Sequence, residues 1–356
     1  MSTTIPIGQV EQKTQNRVIQ FFQNTLNYRY LGDLSGQDNK NIREDDLTTW
    51  LVKRGVSDDL IKGAIMLLQK ENYVGGGRRL YDANQAIYRL LRYGVKVKTG
   101  VGEQTQTVWL IDWNNPHNND FAIGKEVSIK GVAYNKRPDL VLYVNGIALA
   151  VIELKRSSVS VSEGIRQNLS SQHKDFAEDF FTTVQLVMAG NDTQGIRYGV
   201  IETGEKYYLQ WKEDGKIQGD LDTDLQSLCE KSRFLALIHD FMVFDAGIKK
   251  TCRPNQYFGI QAAQAKIANN EGGIIWHTQG SGKSLTMVWL AQWILEQGGG
   301  SRVLIITDRT ELDEQIEKVF SNTNHTIYRT TSGKNLLDVL GEYQPSLICS
   351  LVHKFG

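Results

Sequence analysis

The feature that most constrains this chain is a pair of apolar runs joined by an Asn-Gly dipeptide, within the stretch RPDLVLYVNGIALAVIELKR (residues 137–156). Asn-Gly between two apolar runs is a strong β-hairpin signal, because both residues tolerate a positive φ. Asp139 precedes the first run, and the second run ends with Glu153 and Lys155. Two carboxylates and an ammonium therefore stand at the open end of one predicted hairpin.

The geometry of the hairpin loop decides whether these charges meet. A two-residue loop would turn Glu153 to the face of the sheet opposite Asp139, because neighbouring strand residues point to alternate faces. A three-residue loop over residues 144–146, with Gly146 in the left-handed conformation, would place both carboxylates and Lys155 on one face. We predict the three-residue loop, because only this loop brings the three charges together.

Two carboxylates that converge at a strand end can hold Mg²⁺, which prefers oxygen ligands. The ion activates a bound water and stabilises charge on a phosphate, and a neighbouring lysine can orient the water or neutralise that charge. We predict that Asp139 and Glu153 bind metal and that Lys155 is catalytic. Alternatively, Asp139 only begins the strand and the other two are solvated. The preceding proline, the hairpin and a helix capped by Ser160 and Glu163 favour the metal site.

Hydrophobic periodicity divides the chain into two regions. Residues 1–245 combine helical stretches with period-two strands, which is typical of an α+β domain. Within residues 246–356, GGIIWH (272–277) is predicted to be a short buried strand, and helices and strands alternate after it, which predicts a parallel α/β sheet. The first predicted helix lies within residues 10–33, and its apolar stripe consists of Val18, Ile19, Phe22 and Leu26.

Charge and cysteine content exclude some classes of protein. Lys+Arg 40 against Asp+Glu 40 give a formal charge of zero, which argues against a small, uniformly basic nucleic-acid binder but allows a local basic groove. The three cysteines form no CxxC pair, so neither a disulfide framework nor a zinc site is predicted. No apolar run is long enough to span a bilayer and no signal-peptide pattern is found, so we expect a cytoplasmic protein without a membrane partner.

A second charged loop, HTQGSGKS (277–284), follows the predicted apolar strand and opens a predicted amphipathic helix, which is the context of a phosphate-binding loop. Glycines let backbone amides face a phosphate, the lysine reaches the β- and γ-phosphates, and the hydroxyl after it contacts Mg²⁺. The alternative is a glycine-rich turn that binds nothing. We predict that ATP is bound by Thr278, Gln279, Gly280, Ser281, Gly282, Lys283 and Ser284.

The Pro-Asp and Glu-Leu-Lys pattern resembles that of PD-(D/E)xK nucleases. In a wider context, KRPDLVLYVNGIALAVIELKRSSVSVSEGIRQN, MAGNDTQGIRYG and IHDFMVFDAGIKKTCRPNQYFGIQAAQ resemble the restriction (motor and nuclease) subunit of type I restriction–modification enzymes, over nearly the whole chain. The resemblance implies an α+β PD-(D/E)xK nuclease domain followed by the first part of an α/β RecA-like domain of a superfamily 2 helicase. It also implies that Gln167 is the glutamine of a Q-x-x-x-Y motif, in which Ser171 replaces the tyrosine.

The likeness extends to the second region. His277 stands at the first glycine position of the phosphate loop, as in motif I of superfamily 2 helicases. Arg253 and Gln256 resemble the adenine-reading element of such motors, although a plain helix start is an alternative. TDRTELDEQ (307–315) resembles motif Ia, which contacts the nucleic-acid backbone. No DEAH-like segment precedes the end of the chain, so we expect a truncated fragment that binds ATP without DNA-stimulated hydrolysis.

The resemblance implies a Mg²⁺-dependent endonuclease that cuts double-stranded DNA, coupled in the full-length protein to ATP-driven translocation, with methyltransferase and specificity subunits as partners. Two alternatives stay open: a DNA-repair or processing helicase with an accessory nuclease fold, and a catalytically silent DNA-binding or docking module. Glu11 or Glu44 could complete the metal shell. Four cations flank the predicted site and suit contacts with the DNA backbone, namely Lys136, Arg137, Arg156 and Arg166.

Overall fold

The computed structural model describes residues 7–100, 102–297, 300–308, 316–317, 320 and 326–355. The chain forms two compact units that divide between His239 and Asp240. The helices assigned to the first unit are α1 (Ile7–Asn24), α2 (Glu44–Lys53), α3 (Asp58–Glu71), α4 (Leu80–Tyr93), α5 (Val161–Ser171), α6 (Leu221–Cys229) and α7 (Lys231–Asp240), which ends at the boundary. Its strands are β1 (Arg29–Asp33), β2 (Val95–Val97), β3 (Gln106–Val108), β4 (Phe121–Lys125), β5 (Leu140–Val144), β6 (Ile147–Leu154), β7 (Leu186–Asn191), β8 (Gly195–Gly199) and β9 (Leu209–Gln210).

Seven of these strands form one mixed sheet in the order β1-β4-β5-β6-β7-β8-β9, and β2 pairs separately with β3. The pairs β1–β4 and β6–β7 are parallel, and the other neighbours are antiparallel. Every residue of β5 and β6 is buried. A strand covered on both faces reads as a continuous apolar run, which explains the two runs around the Asn-Gly turn.

The loop of the β5–β6 hairpin has two residues, so the predicted three-residue loop is wrong. Val144 pairs with Ile147, and the two loop residues have φ angles of 52° and 82°, which is the geometry that Asn-Gly favours. A bulge lies within β6 instead, at Leu149, and it shifts the register by one residue, so that Leu140 pairs with Ile152. The bulge therefore compensates for the shorter loop.

The buried amide of Asn145 explains why the loop is short. Its Oδ1 accepts a hydrogen bond from the backbone N–H of Asp120 (2.8 Å), and its Nδ2 donates to the carbonyl of Leu110 (2.9 Å) and to Oδ1 of Asn119 (2.8 Å). These bonds hold Asn145 in its left-handed conformation at the bottom of the hairpin. A sequence pattern does not reveal such tertiary partners.

The first predicted helix is shorter than expected. α1 ends at Asn24, and residues 29–33 form β1, so the last part of the predicted helix is a strand. Asn27 has a φ of 56°, which a right-handed helix cannot contain. The apolar stripe is buried as predicted, through Val18, Ile19 and Phe22.

The described residues of the second unit form two small sheets. Its helices are α8 (Pro254–Ala268), α9 (Lys283–Glu296) and α10 (Gly333–Gly341), and its strands are β10 (Met242–Asp245), β11 (Ile248–Thr251), β12 (Val303–Thr307), β13 (Ile327–Arg329) and β14 (Leu347–Leu351). β10 and β11 form an antiparallel hairpin that the sequence analysis did not predict. The other strands form a parallel sheet in the order β12-β14-β13. Short 3₁₀ helices complete the two units: Pro116–Asn118, Glu178–Thr182, Glu205–Tyr207 and Val352–Lys354.

The predicted strand GGIIWH is not formed. Residues 272–277 have no regular secondary structure, and Ile274 and Trp276 are 87% and 90% exposed. A parallel strand requires a hydrogen-bonded neighbour, and within the described part of the chain no strand pairs with this segment. Residues 309–315 of the segment that resembles motif Ia lie outside the described residues. No described helix is both long enough and apolar enough to cross a membrane.

Candidate functional site

Asp139 lies immediately before β5, at the open end of the hairpin. Its Oδ2 accepts a hydrogen bond from the backbone N–H of Leu154 (2.7 Å), the residue between Glu153 and Lys155. The register of the hairpin, continued by one residue, sets Asp139 opposite Glu153. The Asp139 carboxylate is therefore fixed against the part of β6 that carries the other two predicted site residues.

Glu153 and Lys155 point to one face of the sheet, and α5 covers that face. Glu153 is fully buried and pairs with Ala189 of β7 in parallel register. A Cβ built on Gly164 of α5 would lie 3.4 Å from the Cβ of Glu153 and 3.5 Å from the Cγ of Lys155. The glycine thus allows the helix to approach both side chains closely.

Gln167, on the same helix, contacts the lysine directly. Nζ of Lys155 donates a hydrogen bond of 2.7 Å to Oε1 of Gln167. Ser160 begins α5 as the N-cap, and its Oγ accepts from the N–H of Ser162 (3.3 Å), which starts the helix at the predicted place. Ser171 donates from Oγ to the carbonyl of Gln167 (3.0 Å), so its hydroxyl is bound to its own helix.

Gln15 is a residue of the site that the sequence analysis did not name. It lies on α1, is 2% exposed, and donates from Nε2 to Oδ1 of Asp139 (2.9 Å). The sequence does contain a signal that Gln15 is buried. It lies three residues before Val18 and four before Ile19, which is the helical spacing of the buried stripe. A polar side chain at an apolar position of a helix indicates a buried partner.

Of the two acids suggested for the metal shell, Glu44 does not lie at this end of the hairpin. Glu44 is the first residue of α2, and the preceding residue, Arg43, bonds the carbonyl of Gly146 at the hairpin turn. Glu44 therefore lies about 17 Å, one five-residue strand, from Asp139. The side chain of Glu11 lies outside the described residues. Among described side chains, no cluster of three or more histidine, cysteine, aspartate or glutamate ligands includes Asp139 or Glu153.

The donor set fits a hard divalent cation. Gln15 and the Leu154 N–H each donate to one oxygen of the Asp139 carboxylate, and a carboxylate oxygen that accepts a hydrogen bond can also coordinate a cation, because it has two lone pairs. Glu153 adds a fully buried carboxylate. Mg²⁺ commonly binds through one or two carboxylates and keeps several waters, so two acids are a sufficient protein contribution.

The four flanking cations differ in their partners. Lys136 bonds Oγ of Ser170 (3.0 Å), one turn after Gln167, and its Nζ lies 3.9 Å from the centre of the Phe176 ring. Two of the others are in ion pairs, Arg137 with Glu126 (2.7 Å) and Arg166 with Glu205 (2.8 Å) and Glu163 (3.1 Å). Arg156 is half-buried just after β6. Among the described residues, the ammonium of Lys136 thus contacts a neutral hydroxyl and a ring rather than a carboxylate.

The glycine-rich loop of the second unit is held by its own backbone. Gly280 and Gly282 have φ angles of 78° and 87°, and Gly282 is the N-cap of α9. Nζ of Lys283 donates to the carbonyls of His277 (3.1 Å) and Thr278 (3.0 Å). The lysine therefore closes the loop on itself, and Ser284 follows it in the first turn of α9.

Arg253 and Gln256 contact this loop. Nη1 of Arg253 donates to the carbonyl of Gly280 (2.9 Å), and Nε2 of Gln256 donates to the carbonyl of Gly282 (2.9 Å). Oε1 of Gln256 accepts from the N–H of Arg253 (2.8 Å), so the two residues also fix each other at the start of α8. The structure thus brings these two predicted residues to the phosphate loop.

Comparison with family models identifies the first unit. Residues 8–206 match the model of the type I restriction enzyme R protein N terminus, which is more than half of the chain. The chain belongs to this family. Residues 255–356 are similar to the SWI2/SNF2 ATPase model.

Curated relatives carry names consistent with the R protein family. The chain is 29% identical over 337 residues to the type I restriction enzyme HindI endonuclease subunit of Haemophilus influenzae. The matched region covers 85% of this chain and 32% of the relative. It is 27% identical to the putative MjaIXP endonuclease subunit of Methanocaldococcus jannaschii, over 76% of this chain and 29% of the relative. It is 29% identical to the SsaAORF53P endonuclease subunit of Staphylococcus saprophyticus, over 67% of this chain and 26% of the relative. The chain therefore spans about a third or less of the length of these relatives.

Proposed function

We propose that the first unit is a PD-(D/E)xK endonuclease that cuts phosphodiester bonds of double-stranded DNA. The observation that carries the proposal is the convergence of Asp139, Glu153, Lys155 and Gln167 on one end of the central hairpin. Two contacts define it, namely Asp139 Oδ2 to the N–H of Leu154 (2.7 Å) and Lys155 Nζ to Gln167 Oε1 (2.7 Å). Acidic oxygens beside an ammonium suit phosphate chemistry, because charge develops on the phosphate during cleavage.

Asp139 and Glu153 would hold Mg²⁺, which supplies a water of lowered pKa and a positive charge next to the phosphate. The protein contributes the positions of these carboxylates. Gln15 and the Leu154 amide orient the Asp139 carboxylate through one hydrogen bond to each oxygen. The buried strand β6 orients Glu153. Both acids are thus preorganised before a ligand arrives.

Lys155 would neutralise negative charge on the scissile phosphate. Gln167 accepts a hydrogen bond from its ammonium, which limits the rotation of a long and flexible side chain. Gln167 therefore acts as a positioning residue in this proposal. Lys136, one helical turn away, would contact the DNA backbone, which orients the duplex without reading its sequence.

We further propose that the second unit is the ATP-binding part of a RecA-like motor. Lys283 would exchange its bonds with two loop carbonyls for bonds with nucleotide phosphates, while Ser284 binds Mg²⁺. Arg253 and Gln256 would support the loop and reach the adenine. The expected division at 245 falls inside the β10–β11 hairpin, so we propose that the functional boundary lies at residue 239 instead.

In the full-length protein, cleavage would be coupled to ATP-driven DNA translocation, with methyltransferase and specificity subunits as partners. This part of the proposal rests on the family and on the names of the relatives. A DNA-repair helicase and a silent docking module are the competing functions. They differ from a nuclease in what the isolated chain does to DNA.

A nicking assay tests the nuclease. The 356-residue chain is incubated with supercoiled plasmid and Mg²⁺ or Mn²⁺, beside Asp139→Asn and Lys155→Met. We expect nicking by the original chain and a loss of at least about 100-fold in each variant, since removal of an electrostatic catalytic group costs this much or more. The controls are Asp214→Asn and Lys212→Met, two exposed charges of the same unit, which should retain full activity.

The outcome separates the three functions. Nicking that is lost in both site variants supports the nuclease. Equal nicking in all variants would contradict the assignment of these residues. Metal-independent DNA binding without nicking, unaffected by Asp139→Asn, would favour a docking module.

A further inference from the structure

Tyr208 lies beside the candidate nuclease site, although it is distant in sequence. It follows the 3₁₀ helix Glu205–Tyr207 and precedes β9. Its ring packs against Val161 and Ile165 of α5 and against Ala189 of β7. Two of the elements that enclose Glu153, the helix and the neighbouring strand, therefore also hold this tyrosine.

The hydroxyl of Tyr208 is buried and has no hydrogen-bond partner among the residues that the structure describes. A buried phenol normally finds a hydrogen-bond partner, and leaving one unsatisfied destabilises the folded state. Packing alone would be served equally well by phenylalanine. The hydroxyl at this position therefore requires another explanation.

Tyr208 and Glu153 share a neighbour, Ala189 of β7. A Cβ on Gly164 would lie 3.1 Å from the Cβ of Ala189 and 3.4 Å from that of Glu153, so these residues are enclosed together under α5. A phenol O–H donates hydrogen bonds and a carboxylate accepts them, so the two groups are chemically complementary.

We propose that Tyr208 is a positioning residue of the nuclease site, whose hydroxyl donates a hydrogen bond to the Glu153 carboxylate, directly or through one water, when a divalent cation is bound. This inference rests on the proposed function. It extends that function by adding a residue from outside the hairpin, α1 and α5. A carboxylate that binds metal is commonly oriented by a hydrogen bond of this kind, and loss of such a bond weakens metal affinity about 10- to 100-fold.

The test uses Tyr208→Phe in the 356-residue chain. Tyr207→Phe is a matched control, because the neighbouring ring is 64% exposed. Mn²⁺ binding is measured by the loss of the free-ion electron paramagnetic resonance signal. We expect about tenfold weaker binding in Tyr208→Phe and no change in Tyr207→Phe. In the nicking assay, kcat should fall while KM for plasmid is unchanged.

Stability without metal distinguishes a positioning role from a structural one. Since the hydroxyl has no hydrogen-bond partner among the described residues, Tyr208→Phe should leave the melting temperature in the absence of added metal unchanged or raise it. A lower melting temperature together with weaker Mn²⁺ binding would overturn the inference, because a damaged core would explain both.

The inference and the proposed function fail in different ways. If the original chain binds Mn²⁺ and Asp139→Asn abolishes binding, but Tyr208→Phe binds as tightly as the original chain, the role of Tyr208 is wrong and the metal site stands. If Mn²⁺ binds the original chain and Asp139→Asn equally, the metal site itself is wrong, and the inference falls with it.

Discussion

Two short apolar runs of this chain were both predicted to be strands, but they have different structures. The run at 147–154 is a central strand in which every residue is buried. The run at 272–277 has no regular structure, and two of its apolar side chains are almost fully exposed. The difference is the neighbours: β6 lies between β5 and β7, whereas none of the described strands pairs with 272–277.

The two candidate sites reflect this difference. The nuclease site depends on strand register, since a bulge at Leu149 and a bond from Leu154 set the position of Asp139 against Glu153. The phosphate loop depends on local contacts, from Arg253, Gln256 and Lys283 to carbonyls of the loop. A change in the core of the first unit should therefore disturb its site, whereas the phosphate loop should respond mainly to its own residues.

The largest expected effect compares the same substitution in the two runs. Ile152→Ala, at a fully buried position of β6, should lower the free energy of unfolding by about 3 kcal/mol, because it leaves a cavity in the sheet core. Ile274→Ala, at a position that is 87% exposed, should change it by less than about 0.5 kcal/mol. Urea denaturation followed by circular dichroism measures both values.

Hydrogen exchange at the amides of β6 assigns the loss to the first unit. Equal destabilisation by the two substitutions would show that 272–277 is packed in solution, and the contrast between the two runs would then disappear.

Sequence patterns predict features that are local and periodic. The hairpin, the buried stripe of α1 and the start of α5 follow from dipeptide chemistry, 3.6-residue spacing and an N-cap serine. The loop length was wrong because Asn145 is fixed by three residues from another segment. Tyr208 was not predicted for the same reason. Its proximity to Glu153 depends on where the residues before β9 pack against α5, and no spacing along the chain indicates this.

The candidate site was predicted in composition more than in geometry. Asp139, Glu153, Lys155 and Gln167 are brought together, but by a bulge within β6 rather than by the loop that the prediction required. The strand at 272–277 was predicted from its residues alone. A parallel strand depends on neighbours that are remote in sequence, so its local pattern is not sufficient.

The second prediction concerns pH, because the first unit buries an ionisable carboxylate, whereas the cations that contact the glycine-rich loop, Arg253 and Lys283, are exposed. Burial raises the pKa of Asp224 on α6 to about 6, although the N–H of Ile196 donates to its Oδ2 (2.9 Å). Between pH 4 and pH 6 the folded state thus holds a proton that the unfolded state has lost. Stability must therefore fall as pH rises through this window.

Asp224→Asn removes this dependence. From pH 4 to pH 7, the unfolding free energy of the variant should rise by about 2 kcal/mol relative to the original chain, since one pKa unit corresponds to about 1.4 kcal/mol. Chemical denaturation at several pH values measures the difference. Asp214→Asn, an exposed carboxylate of the same unit, controls for the loss of one charge. A constant difference between variant and original chain across this range would contradict the buried, protonated state of Asp224.

The smallest expected effect lies in the phosphate loop. Lys283→Ala removes the two bonds from Nζ to the carbonyls of His277 and Thr278 and the charge that would meet a phosphate. We expect the Kd for a fluorescent ADP to rise at least about tenfold, which corresponds to about 1.4 kcal/mol. Fluorescence anisotropy measures the Kd.

Lys266→Ala is the matched control, since this exposed lysine of the same unit pairs only with Glu271 (2.5 Å) among the described residues. Loss of affinity in both variants would indicate a general effect of charge rather than a phosphate loop. Because Lys283 holds the loop only through local carbonyls, the variant should leave exchange of the β6 amides unchanged. A change in the exchange of the β6 amides would contradict the view that the two sites depend on separate sets of contacts.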